Sequence, residues 1–546
     1  MLLNNVKVLR PKTTKIQKRN GIGYVYQVIG KSYKKDKKYT VENRKLIGKM
    51  IDEEWMVPNE YFEQYYPDVC VEQESPEFSD TLRIGCFLVV QKLFRDLQIE
   101  DVLSSIFGDL GPFIEDIVSY MNANESCTFQ YYSNFMRNHP VMDKIIRDDT
   151  QISRLLKYNI KEEDINLFLR AWNQMNNTKE CIYVGYDSTN FNTNAYGIEL
   201  ADYGHPKVDE GLPQYNLAYA VNQKDSTPLF YELYDGSVID NTELEIMLEE
   251  AKEFGYERLG VLMDRGYISE KNIKALRSKG YEYILMMKQN QKICQEIVEE
   301  YGAAVQSLEG YYIGEHGVYG TTVKKQLYGQ EANIHVYYDD IRASEEKVAL
   351  MSRYETWEKE IEKKVEKKLA TEGEMKKYRK VFKLKYDQNG YLVAYQRNSR
   401  YIKEEIRNLG FFFIITSEEM SASKALDIYR GRDNIEKMFR SLKSGTDFNK
   451  ARVHTTESLK SKVFVTFIAM IIRNELFQKA EVLRKKNRKA YTVPGMISEL
   501  ENIECTRNSV GKYRRKYALT AKQKLILKQF DMDEKYIDRS IGEFSY

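Results

Sequence analysis

Cysteine, proline and histidine are scarce in this chain, and each scarcity removes a class of protein. The six cysteines (Cys70, Cys86, Cys127, Cys181, Cys294 and Cys505) are scattered. No pair has the CxxC spacing of a zinc or redox site, and none has the clustering of a disulfide scaffold, which suits a reducing compartment. Ten prolines in 546 residues leave no proline-rich stretch, and 42% hydrophobic with 30% charged residues is the balance of a folded chain. The five histidines, His139, His205, His316, His335 and His454, have no metal-ligand spacing, so structural or surface roles are expected of them. Long hydrophobic runs are missing too. The most apolar stretch, residues 463–472, is half of the roughly 20 residues a membrane-spanning helix takes. The amino terminus carries no signal-type apolar region, and the reading is cytoplasmic.

What is present is length and an uneven charge. A chain of 546 residues exceeds one compact core, and two to four domains are expected. The net charge is only +2, but residues 1–50 hold fourteen Lys or Arg against Asp36 and Glu42. Residues 430–462 hold nine against Asp433, Glu436, Asp447 and Glu457. Such stretches suit a polyanionic partner better than the net charge suggests. Further basic clusters lie at residues 484–489 and 512–516, candidates for contacts to a phosphate backbone.

The pattern divides the chain into six stretches. Residues 1–80 form a basic, β-rich region, with alternation at residues 24–29 and 39–41 around the lysines of residues 34–38, as in a β-hairpin. Residues 81–178 take helical spacing and read as a small helical region. Residues 179–290 interleave strands at 181–186, 215–222, 229–234, 259–263 and 281–287 with helices at 241–254 and 269–279, the order of an α/β core. Residues 291–408 read as a β-rich insertion with a charged helical run at 344–380, expected to be a solvated helix. Residues 409–475 resume the core with a strand at 411–415 and a long amphipathic helix opened by Ser421 and reaching past Leu442. Residues 476–546 are a basic carboxy-terminal region.

Two aspartates stand where these strands end. Asp187 follows residues 182–186 in the string YDSTNF, and Asp264 follows residues 259–263 in MDRGY. Side chains at carboxyl ends of strands in an α/β sheet converge on a ligand crevice. Asp also caps helices and opens turns, so neither aspartate decides the matter alone. A third candidate lies in YRGRDNIEKMFRSLK. On one regular helix, Tyr429, Arg432, Glu436 and Lys443 fall within about 60° of one another. Ile428, Ile435, Met438, Phe439 and Leu442 form an apolar stripe beside them. A solvated charged face of an ordinary amphipathic helix has the same pattern.

With these motifs the chain resembles the DDE transposases of bacterial insertion sequences, in the branch with a Tyr-x2-Arg-x3-Glu-x6-Lys signature and a β-rich insertion before the glutamate. Tyr429, Arg432, Glu436 and Lys443 match that signature in full, and the strings around Asp187 and Asp264 look like that branch. So does the 172-residue gap from Asp264 to Glu436. The resemblance covers residues 180–475 well and the amino-terminal regions more loosely.

It implies an α/β, RNase H-like core interrupted by the insertion, and Asp187, Asp264 and Glu436 as catalytic ligands of two Mg2+ ions, for which Mn2+ can substitute. Hard cations of this kind take oxygen donors, which carboxylates supply. It further implies that the helical region 81–178 binds DNA, that Tyr429, Arg432 and Lys443 hold transposon-end DNA, that double-stranded DNA is cut and joined in cut-and-paste transposition, and that a homodimer forms in the DNA complex, at the nucleoid of a bacterial cell. Two alternatives keep the same motifs: an RNase H-like nuclease without strand transfer, and a catalytically silent DNA-binding protein derived from a transposase.

Overall fold

The structure, a computed structural model, describes residues 6–19, 21–34, 39–59, 61–67, 69, 72–73, 79–143, 145, 147–177, 181–204, 211–238, 240–263, 265–307, 311–366, 373–487, 491–507 and 512–544. Cys70, His205, Asp264, the turn at residues 35–38 and residues 488–489 of one basic cluster lie outside them. Two compact units are formed, residues 1–82 with 136–139, and residues 83–135 with 140–546.

The first unit is built on an antiparallel sheet whose strand order is Lys15–Arg19, Ile22–Lys34, Tyr39–Met50, Trp55–Pro58, Val6–Leu9, Glu72–Gln73. Alternation puts Val8, Val25, Ile47 and Met56 on one face, where they close over Phe62. Gly21, at φ +79°, supplies the left-handed residue that the tight turn between the first two of these strands requires.

The second unit holds a mixed sheet of nine strands among the described residues, in the order Pro228–Asp235, Gln214–Asn222, Ile182–Asn192, Leu259–Met263, Glu282–Met286, Phe411–Thr416, Gln330–Tyr338, Val318–Leu327, Tyr312–Ile313. Ile182–Asn192 runs parallel to Leu259–Met263 and antiparallel to Gln214–Asn222. All six residues of Phe411–Thr416 are buried, and both its edges are paired, to Glu282–Met286 and to Gln330–Tyr338. The strands between residues 312 and 338, which the sequence sets apart with the insertion, therefore extend the same sheet.

Between residues 339 and 410 the chain makes a separate excursion. The helix Asp340–Glu366, the hairpin Phe382–Tyr386 with Leu392–Arg397, and the helix Ser399–Arg407 share an apolar cluster that includes Tyr354, Ile361, Tyr378 and Phe382. The charged run is consequently not solvated all round. Ile361 is buried, Glu362 accepts a 2.8 Å hydrogen bond from Tyr395, and Glu358 pairs with Arg397 of the hairpin. Opposite charges and an apolar stripe give this helix one covered face.

Helices at Gly85–Asp96, Gly111–Ala123, Asp149–Tyr158 and Glu162–Asn176 pack on the long helix Thr456–Asn487. Its residues 463–472 are fully or nearly fully buried there, so the longest apolar run of the sequence is a core helix. Among the described residues no helix is long and apolar enough to cross a membrane. His335 is another core group. It lies between the hydroxyls of Thr322 and Thr416, and burial lowers its pKa to about 4.

Candidate active site

Asp187 does not end its strand. The ladder continues through Ser188 to Asn192, opposite Ala218 to Gln214, and Asp187 faces Tyr219 across it. The polar string looks like a strand terminus because Ser, Thr and Asn are poor core residues. Here they are covered: Ser188 and Thr189 are buried, and Phe191 packs on Tyr215 and Phe448, with ring centroids 5.6 and 5.4 Å apart. Alternation then separates two faces. Tyr186 is fully buried and donates a 2.9 Å hydrogen bond to Glu232, with burial, then the Glu232 charge, pushing its phenol well up. Asp187, Thr189 and Phe191 point the other way, toward the signature segment.

That segment is not one regular helix. Ser421 caps Ala422–Arg430 through a 3.2 Å bond from the Lys424 N–H. The helix then tightens into turns of i to i+3 type, with Gly431 N bonded to Ile428 O and Arg432 N to Tyr429 O, before Asp433–Arg440 begins. A π-helical turn, Ser441–Gly445, follows. Glycine has the weakest helix preference after proline, and Gly431 is pressed against the Gln223 side chain in the turn after Gln214–Asn222. Asn434 fixes the same place by donating to Gln223 O at 3.0 Å. The single polar stripe expected from regular spacing is accordingly broken. Tyr429 is buried, in a cluster with Leu262, Ile284 and Leu426, whereas Arg432, Glu436 and Lys443 face the strand of Asp187.

Arg432 brings the two remote carboxylates together. Its Nη2 lies 2.6 Å from Glu436 Oε1 and its Nη1 3.8 Å from Asp187 Oδ2. Asp187 also accepts the Ser188 N–H at 2.9 Å. Lys443 reaches the same strand two residues on, donating to Thr189 Oγ1 at 2.7 Å and lying over the Phe191 ring, 5.3 Å from its centroid. Beneath this row, Ile435 packs over Gly185. Asp187, Arg432, Glu436 and Lys443 thus meet on one side of the sheet.

Asp264 is outside the described residues. The strand before it, Leu259–Met263, is fully buried and sets Leu262 beside Gly185 in the parallel ladder. Among the described residues no group of three or more His, Cys, Asp or Glu is placed to hold a metal ion. The donors present nonetheless fit a hard divalent cation. Asp187 and Glu436 offer only carboxylate oxygens, and both already turn toward one positive charge.

Sequence reasoning missed the residue that fixes the π turn. Arg473, on the buried run of Thr456–Asn487, donates from Nε to Ser441 Oγ at 3.0 Å and pairs with Glu125 through Nη2. Its guanidinium lies so close to Gly445 that a Cβ there would stand 2.4 Å from Nε. No local pattern announces this. An arginine within an apolar helical run becomes meaningful only through partners on other elements, one of them, Glu125, more than 300 residues away.

Comparisons with known proteins bear on this arrangement. A family model described as a transposase DDE domain matches residues 184–472. No curated protein matches the chain. Among solved structures, it is similar to the piggyBac transposase synaptic complex with hairpin DNA at a TM-score of 0.37 and 9% identity, over 84% of this chain and 85% of that one. It is similar to the Drosophila P element transposase strand transfer complex at a TM-score of 0.21 and 12% identity, over 73% and 89%. Likenesses this faint carry no argument here. The family match stands without them, spanning more than half of the chain and the elements that carry Asp187 and Glu436, and the chain belongs to the DDE-domain family of transposases.

Proposed function

We propose that the chain is a metal-dependent DDE transposase of the branch with the Tyr-x2-Arg-x3-Glu-x6-Lys signature, built on an RNase H-like core, and that it cuts and rejoins transposon-end DNA. The 291–408 stretch corresponds in this reading to the branch's β-rich insertion. The observation that carries it is the meeting of Asp187 and Glu436, 249 residues apart in sequence, on the single guanidinium of Arg432. Two acids held on one arginine in a half-open position suit a site that receives cations and phosphates better than a solvated helix face.

Asp187, Asp264 and Glu436 are the ligands for two divalent ions, Mg2+ or in its place Mn2+. When bound, such a pair activates a water or a 3′-hydroxyl and stabilises the departing oxygen in an in-line displacement at phosphorus. The chain's own part is positioning. Arg432, already between the carboxylates, offers a fork for a phosphate oxygen once cations take over the acids. Lys443 adds a point charge beside Thr189, and Tyr429 backs the segment from the core. Double-stranded DNA is the substrate, and two ends joined in one complex call for a homodimer acting at the bacterial nucleoid.

The test is cleavage of labelled duplex carrying the terminal repeats that flank the gene, in Mg2+, by the intact protein and by Asp187→Asn, Asp264→Asn and Glu436→Gln. Each substitution removes charge at nearly constant shape, and each is expected to lower cleavage by about a thousandfold or more with unchanged circular dichroism. Retained activity in any one removes that residue from the triad. Nicking without joining by the intact protein points to a nuclease, and tight binding of ends without nicking to a silent DNA binder.

A further inference from the structure

In the first unit, two strands outrun the sheet that anchors them. Lys15–Arg19 pairs with Ile22–Lys34 only as far as Tyr26, and Trp55–Pro58 pairs with Tyr39–Met50 only from Gly48 onward. Residues 27–34 and 39–45 pair with each other and with no other described strand. They form a two-stranded arm of roughly 25 Å, about seven base-pair steps. A two-stranded ribbon without a third strand or a packed face is marginal in water. This one also exposes large side chains: Ile29 is 53%, Tyr33 61% and Tyr39 53% accessible.

Its charge says what covers it. Lys31, Lys34, Arg44 and Lys45 stand against a single acid, Glu42. That acid is engaged by Lys15 at 2.7 Å and Arg44 at 2.9 Å. Lys45 and Gln27, at the base, are also occupied, the lysine over the Tyr61 ring and the amide with the Tyr66 hydroxyl. Farther out, Lys31 and Lys34 are exposed, with no ion-pair partner among the described residues.

Register sorts the faces. Directly opposed residues share a face, so the pairs Ser32 with Val41, Gly30 with Asn43 and Lys34 with Tyr39 lie together. Among the described residues that face carries no acid. Asn43 is exposed on it, and among the described residues its amide meets only a long 3.5 Å contact from the Ser32 hydroxyl. An amide presents a donor and an acceptor side by side, the complement of adenine in the major groove, where N7 accepts and the N6 amino group donates, and that groove admits a two-stranded ribbon.

We propose that this arm enters the major groove of the transposon-end duplex, with Asn43 and Ser32 toward the base edges and Lys31 and Lys34 on the flanking phosphates. The inference rests on the transposase reading and adds to it the element that selects the end sequence.

The test is a binding titration of the full chain in EDTA, where DNA stays uncut, against end duplexes and scrambled duplexes of equal length at several salt concentrations. Asn43→Ala is expected to lower the preference for end over scrambled DNA by about tenfold or more while leaving scrambled binding unchanged. Lys31→Ala with Lys34→Ala is expected to weaken both duplexes equally and to flatten the logarithmic salt dependence by about two. All three positions are exposed, and an unchanged thermal midpoint verifies folding. If the intact chain prefers end DNA and Asn43→Ala keeps that preference, the arm is not the reader and the transposase reading stands. If the double lysine variant changes oligomeric state with DNA binding intact, the arm meets a second copy instead and the inference falls. If the intact chain shows no preference for end DNA, both readings fall together.

Discussion

Asp187 and Glu436 reach the same place from opposite kinds of support. Asp187 sits inside a strand paired on one side by an antiparallel partner and joined on the other by a parallel one, its neighbours largely buried. Its backbone position follows from a ladder of hydrogen bonds, each replaceable in part by the next. Glu436 sits on an eight-residue helix with irregular turns before and after it, and its side chain is half exposed. Its apolar face, Ile435, Met438 and Phe439, is buried, and what aims it beyond that is a short series of single contacts: Asn434 to Gln223, Gly431 against the Gln223 side chain, Lys443 to Thr189, and Arg473 against Ser441 and Gly445. One carboxylate is carried by collective order and the other by a few individual fits. Substitutions at small residues should therefore be tolerated beside the first and punished beside the second.

The sharpest way to break this contrast is Gly445→Ala. The new methyl would lie 2.4 to 2.6 Å from the Arg473 guanidinium, which is 4% exposed and held at both ends. Overpacking of this kind costs about 1–3 kcal/mol, so the thermal midpoint should fall and end cleavage with it; an unchanged midpoint would show that the π turn yields freely. Gly431→Ala should have a smaller effect on stability, because the obstacle is the flexible Gln223 side chain, which can swing aside. Cleavage should still drop severalfold, since Asn434 and Glu436 share that anchorage, and full activity at saturating DNA would remove Gly431 from the aiming contacts. The smallest effect is expected at Gly185→Ala on the strand side. The nearest atoms to its Cβ, on Ile435 and Val221, are 3.8 Å away, an ordinary contact, and glycine weakens strand interiors. Stability should stay within about 0.5 kcal/mol of the parent with activity retained; a large loss in cleavage assays would put the strand and the helix on equal footing.

The same contrast explains what could be read from the sequence. The strands that bracket Asp187 and Asp264 were legible because burial on both faces leaves continuous apolar runs such as residues 182–184 and 259–263. The far half of the Asp187 strand was not, since Ser188, Thr189 and Asn190 are tolerated there only through cover from Phe448, Lys443 and the next strand. The meeting of Arg432, Glu436 and Lys443 on one side followed from helical spacing, but the burial of Tyr429 did not. Spacing assumes a regular helix, and the departure at Gly431 depends on Gln223, more than 200 residues earlier. Arg473 and the pairing of Phe411–Thr416 with strands on both sides belong to the same class, determined by partners distant in sequence.

The excursion between residues 339 and 410 leaves and re-enters the sheet at neighbouring rungs. Tyr338 faces Phe411 in the ladder, and Asp339 N bonds to Gly410 O at 3.0 Å. In genetic terms this is a parenthesis: some seventy codons could be gained or lost there while the text on either side still parses, since a short turn between the two strands would close an ordinary hairpin. With an apolar core of its own, such a block can drift in length and surface among related elements without disturbing the reading frame of the fold around Asp187 and Glu436.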